Sequence, residues 1–152
     1  MFKIDSNQVI KMSRGDNIKF PLFLNKGTRM APIRYGFEAD DGCEVYFYLF
    51  NYNSSTDCPL FKKIFTANND LWYHSNGTTD NDMKIELSPN DPLCNSKFSL
   101  KDLCDGEYLY QIKAKLLDRE ESQKQGKKIY IENTVTNRHP FYIIDDDFKR
   151  TW

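Results

Sequence analysis

Apolar residues recur at every second position through most of this chain, and that period constrains its fold more than any other feature. Ile18, Phe20, Leu22 and Leu24 alternate with Lys19, Pro21, Phe23 and Asn25, and Val45, Phe47 and Leu49 alternate with Glu44, Tyr46 and Tyr48. Met83, Ile85 and Leu87 flank Lys84 and Glu86. In the longest run, Tyr108, Tyr110, Ile112, Ala114 and Leu116 alternate with Glu107, Leu109, Gln111, Lys113 and Lys115. Ile129, Ile131 and Val135 share one side of a later segment, and Phe141 with Ile143 one side of the last. Side chains of a strand point alternately to opposite faces, so these segments are half-buried strands. Residues 9–12 and 60–66 are β-rich with a less regular alternation.

Polar clusters rich in Gly, Pro, Asn, Asp and Ser punctuate the strands at 13–17, 25–27, 40–42, 51–57, 68–81 and 88–92, and read as turns and loops. The charged stretch 118–127 (DREESQKQGK) reads as the solvated tip of a hairpin. Only 96–104 (SKFSLKDLC) has the pattern of a helical turn, with Ser99 as its cap and Asp105-Gly106 as its stop. Without crossover helices a parallel sheet is excluded. The expected fold is all-β, about seven to nine strands in two antiparallel sheets packed face to face, with at most one short helical turn.

The 152 residues fit a single domain, 1–152, with 146–152 as a C-terminal tail. Aromatics make up 14 % of the chain, enough to build a core, so disorder is excluded. Lys+Arg number 21 against 22 Asp+Glu, which lacks the basic excess of a phosphate-backbone binder. No apolar run approaches a membrane span, and charges interrupt every candidate signal sequence in residues 1–20. Neither nucleic acid nor membrane is an expected partner.

Residues able to do chemistry are sparse. His74 and His139 are the only histidines, and no pair among Cys43, Cys58, Cys94 and Cys104 has zinc-knuckle or redox spacing. The cysteines read as isolated thiols in or near the core. No nucleophile elbow, P-loop, dinucleotide fingerprint or metalloprotease helix occurs. Asp145-Asp146-Asp147 and Asp80-Asn81-Asp82 lack the spaced ligands of a calcium loop, and Arg14-Gly15-Asp16 reads as a turn between two strands. The expectation is a non-enzyme without catalytic, cofactor-binding or metal residues. What remains is docking: the outward aromatics Tyr46 and Tyr48, and the terminal Phe2, Phe148, Arg150 and Trp152.

Several landmarks occur in a definite order. Val9-Ile10-Lys11-Met12 leads into Arg14-Gly15-Asp16 and the alternating 18–24; then come Val45-Tyr46-Phe47, Leu60-Phe61-Lys62-Lys63-Ile64-Phe65 and Ile85-Glu86-Leu87-Ser88-Pro89-Asn90-Asp91. A turn with Leu100 and Leu103, Gly106-Glu107-Tyr108-Leu109-Tyr110-Gln111-Ile112, and Pro140-Phe141-Tyr142-Ile143-Ile144 complete the series. Over about residues 7–145 this order resembles the N-terminal domain of the bacteriophage upper-baseplate protein family. Pro92 stands where that family usually has Thr, and the Gly42-Cys43 stretch and the charged 118–127 segment are particular to this chain. The resemblance implies an immunoglobulin-like antiparallel β-sandwich serving as a structural virion protein. It would be assembled in the host bacterial cytoplasm and would dock other virion proteins of the tail, baseplate, neck or head fibre as a homo-oligomer. The alternative from the residues themselves is a carbohydrate-binding module that uses the exposed aromatics for host-surface adhesion.

Overall fold

A computed structural model of the protein describes residues 2–5, 9–21, 23–27, 32–34, 42–53, 58–66, 84–134 and 138–144. They form strands β1 (Phe2–Asp5), β2 (Ile10–Ser13), β3 (Ile18–Pro21), β4 (Phe23–Gly27), β5 (Pro32–Arg34) and β6 (Glu44–Asn51). There follow β7 (Phe61–Thr66), β8 (Lys84–Leu87), β9 (Gly106–Leu117), β10 (Tyr130–Thr134) and β11 (His139–Ile144). A 3-10 turn at Leu100–Asp102 and one α-helix, α1 (Arg119–Gln125), complete the described elements.

The long alternating run becomes β9, which organises a six-stranded sheet of order β2-β11-β9-β6-β7. On one edge β9 pairs antiparallel with β6 from Glu44 opposite Lys115 to Asn51 opposite Tyr108. On the other edge β10 and β11 lie end to end: Thr134 faces Lys113 and His139 faces Tyr110. β3 and β8 form a separate antiparallel pair, and β1, β4 and β5 a third small sheet.

The alternation decides which face is buried. Val45, Phe47 and Leu49 of β6, Phe61 and Phe65 of β7, and Tyr110, Ile112 and Ala114 of β9 are all at most 2 % exposed. Ile10 and Met12 of β2, Phe141 and Ile143 of β11, and Ile85 and Leu87 of β8 join the same cluster, so β8 lies over the inner face of the large sheet. Phe47 is its hub. Its ring stacks on Tyr110 at 5.8 Å and 9°, and meets Phe61 at 6.2 Å and Phe141 at 6.0 Å edge-on. Four strands thereby share one aromatic contact, each pair adding about 0.5–1.5 kcal/mol beyond simple burial.

Two polar ties hold the ends of this core. Tyr108, near the start of β9, donates its hydroxyl to the Cys104 carbonyl at 2.7 Å, fixing the turn that feeds the strand. Lys63 lies on the inner side of edge strand β7 and donates to Asp91 Oδ2 at 2.9 Å and to the Glu86 carbonyl at 2.8 Å. Asp91 Oδ2 also accepts the Ser88 N–H at 2.9 Å, so one ion pair joins the large sheet to β8 and its following turn.

The structure is mostly β, as the alternation requires, and corrects the expectation in four respects. Eleven strands are described rather than seven to nine, in part because 18–24 is broken: β3 and β4 pair into different sheets. The large sheet is mixed, since β2 runs parallel to β11 with Ile10 opposite Phe141 and Met12 opposite Ile143. The described strands fall into three sheets rather than two. Finally, the 118–127 segment is helical. Asp118 accepts the Glu121 N–H at 3.1 Å as N-cap, and Gln125 bonds Glu121 one turn back at 3.0 Å. Gly126 closes the helix at φ 69°, a left-handed conformation that glycine adopts without a steric cost. The turn expected at 96–104 forms at Leu100–Asp102, with the Asp102 carboxylate accepting the Ser99 N–H at 2.9 Å. Of the thiols only Cys43 is buried; Cys58 and Cys104 are exposed, and none of the four is in a disulfide.

Phe47→Ala is expected to lower the free energy of unfolding by about 3–5 kcal/mol in urea titrations, because the surrounding rings cannot close the hole. Tyr108→Phe is expected to cost about 1 kcal/mol, the net worth of one hydrogen bond. The opposite ranking contradicts the hub assignment.

Candidate interaction face

Because Phe47 points inward, its neighbours Tyr46 and Tyr48 must point outward, and the outer side of the large sheet carries them half-buried. Their ring centroids lie 6.4 Å apart at 36°, and Tyr48 continues to Phe50 at 6.3 Å and 27°. Phe50 is 3 % exposed although it lies on the outer side. The Arg138 guanidinium sits 3.8 Å from its ring centroid.

Register supplies the cations. β7 sets Lys62 opposite Tyr48, and β9 sets Lys113 opposite Tyr46. The Lys62 ammonium lies 5.4 Å from the Tyr46 centroid and 5.7 Å from that of Tyr48, and the Lys113 ammonium 5.4 Å from Tyr48. Two positive charges therefore converge on one ring. Each cation–π contact contributes about 0.5–1 kcal/mol at such exposure, offsetting part of their mutual repulsion. Among the described residues no carboxylate pairs with either lysine. Ile64 of β7, 48 % exposed, adds an apolar contact point beside them.

One end of the face is acidic instead. Tyr46 donates its hydroxyl to Glu44 Oε2, and Lys115, opposite both Glu44 and Glu132, lies 4.5 Å over the Tyr130 ring. Burial pushes the Tyr46 phenol well above its ordinary range, reinforced by the hydrogen bond and charge of Glu44 and then by Glu132. Tyr46 thus meets both a carboxylate, Glu44, and the Lys62 ammonium, whereas Tyr48 meets the two ammonium groups of Lys62 and Lys113.

Two adjoining depressions open at the far end of the sheet, both touching Gly106. One, of about 560 Å³, is lined by Asn51, Tyr52, Asp105, Glu107 and Tyr108; the other, of about 540 Å³, by Val9, Lys11, Tyr142 and Ile144. The Arg14 side chain forms an ion pair with Asp105, and the Arg14 backbone N–H donates to the Ile144 carbonyl at 2.7 Å. Arg14-Gly15-Asp16 is thus an anchored turn, with Gly15 at φ 88°. His139 is half-buried, its ring 5.9 Å from Tyr110. Among the described residues no group of three or more His, Cys, Asp or Glu could hold a metal ion, and no helix is long and apolar enough to cross a membrane.

Of the sequence-derived docking residues, Tyr46 and Tyr48 come together on this face. Phe2 belongs to β1, its backbone opposite Lys26. Phe148, Arg150 and Trp152 lie outside the described residues, as do His74 and the two acidic runs. Sequence reasoning missed Lys62, Lys113, Ile64 and the Arg138–Phe50 pair. Their parity along each strand is legible, but their convergence depends on cross-strand register.

No protein-family model matches the chain, and no curated protein matches it.

A phenol that holds its proton more tightly when folded stabilises the protein below its unfolded pKa, and that stabilisation fades as pH rises above about 10. Wild-type stability in urea is therefore expected to fall on going above that pH, and to fall less steeply in Tyr46→Phe. Identical slopes contradict the environment assigned to Tyr46.

Proposed function

We propose that this chain is a non-catalytic, immunoglobulin-like β-sandwich module of a bacteriophage particle that docks other virion proteins and assembles there in several copies. Several features support the sandwich reading. The order β11-β9-β6-β7 with β3–β8 in the other layer corresponds to the G-F-C-C′ and B–E strands of variable-type immunoglobulin domains. Tyr108 occupies the position of the tyrosine corner, near the start of the F-like strand with its hydroxyl bound to backbone four residues upstream. The particle context rests on the ordered landmarks that resemble the upper-baseplate family.

The observation that carries docking is the outer face itself. Partly covered tyrosines of the kind enriched at protein interfaces, an exposed Ile64 and two lysines that have no carboxylate partner among the described residues make this face the best candidate for a docking surface. The same rings give a carbohydrate-binding reading some support, but lysine ammonium groups already lie over them and the two tyrosines are tilted, so a sugar would have to displace the cations.

Gradient-purified particles from the source that encodes the chain test this. The expected result is the chain at a copy number that is a multiple of the particle's rotational symmetry; its confinement to the unassembled fraction contradicts the proposal. Removing 146–152, with Phe148, Arg150 and Trp152, is expected to leave a folded protein that no longer incorporates. Incorporation at wild-type level would refute the role of those three residues.

A further inference from the structure

We infer that the Tyr48 region of the outer face binds an extended, aspartate- or glutamate-rich segment of a partner protein, whose carboxylates bridge the Lys62 and Lys113 ammonium groups across the ring. This rests on the docking reading and adds the chemistry of the partner. Charge complementarity carries it. Lys62 and Lys113 approach the Tyr48 centroid to 5.7 and 5.4 Å from opposite neighbouring strands, and neither has a carboxylate partner among the described residues. Two ammonium groups flanking one ring raise the local potential, and successive carboxylates of an extended segment, one reaching each ammonium, lower it while gaining charge-assisted hydrogen bonds.

The surroundings select among anions. Nucleic-acid bases and sugars bind such platforms through free ring faces. Here ammonium groups occupy the Tyr46 and Tyr48 faces, and Phe50 is buried beneath Arg138. What remains open is the outward side of the ammonium groups, with Ile64 beside them as a contact for an apolar side chain. The Glu44 and Glu132 end, where two carboxylates flank the single Lys115, is less favourable to the ligand's carboxylates than the Lys62–Lys113 region.

The test is a titration of the intact chain with an N-acetylated, aspartate-rich peptide of about ten residues containing one leucine, the same peptide with Asn replacing every Asp, and an oligothymidylate. The expected result is saturable binding of the aspartate peptide that weakens with added salt. The Asn peptide and the oligothymidylate should bind at least about ten-fold more weakly. Lys62→Gln with Lys113→Gln should lose about ten-fold in affinity at unchanged thermal midpoint, while Lys101→Gln, in the turn beside Asn90, changes nothing. Equal binding of the Asn peptide, preference for the oligothymidylate, or indifference to both substitutions would overturn the inference. Salt dependence of the wild-type protein alone decides the charge question if a variant fails to fold. Particles that contain the chain, together with no peptide binding, reject this inference and leave the docking reading standing.

Discussion

The Phe47 ring, stacked on Tyr110 and touched edge-on by Phe61 and Phe141, is the contact from which the rest of the structure follows. It commits β6, β7, β9 and β11 to one register. A strand has a side-chain period of two, so a slip of one residue would exchange Phe47 for Tyr46 or Tyr48 and bring their hydroxyls into the core. Burying an unbonded hydroxyl costs roughly 1–3 kcal/mol on mutational scales, against a total stability of about 5–15 kcal/mol for a domain. The inward set therefore determines the outward set, and the composition of the outer face is tied to the register of the core.

The two faces of the large sheet are held by different forces. Inside, apolar side chains exclude water; outside, rings and ammonium groups share a half-wet surface in which no single contact is strong. Lys63 crosses the division. It is the cation on the inner side of edge strand β7, and its bonds to Asp91 and the Glu86 carbonyl replace the water it gives up. An inward charge on an edge strand also disfavours pairing of that edge with a stray strand. Its partners make it a clasp between β7 and the β8 layer.

Much of this architecture was legible in the sequence, and what was not has physical reasons. The alternation of 44–50 and 107–116 identified the central strands as half-buried, because half-burial imposes a period that local sequence must carry. Ser99 and Asp105-Gly106 marked the single turn of 3-10 helix for similar local reasons. Helix α1 escaped notice although its signals were present in Asp118, Glu121 and Gly126. None of its residues is buried, so it has no apolar stripe, and charge alone reads as a loop. The parallel pairing of β2 with β11 and the convergence of Lys62 and Lys113 on Tyr48 depend on chain segments far apart in sequence. No local pattern encodes such a meeting. Tyr46 and Tyr48 could be assigned to the outer face, but the cations that give that face its character could not.

The central claim is that the sheet builds its core with one side and meets a partner with the other. A photo-crosslinking amino acid introduced at Tyr48 in assembled particles tests it most directly, with the same group at Lys101 as the comparison position. The account predicts efficient crosslinking to a second polypeptide from position 48 and little from position 101. A Tyr48 position that forms no crosslink in particles containing the chain would contradict it.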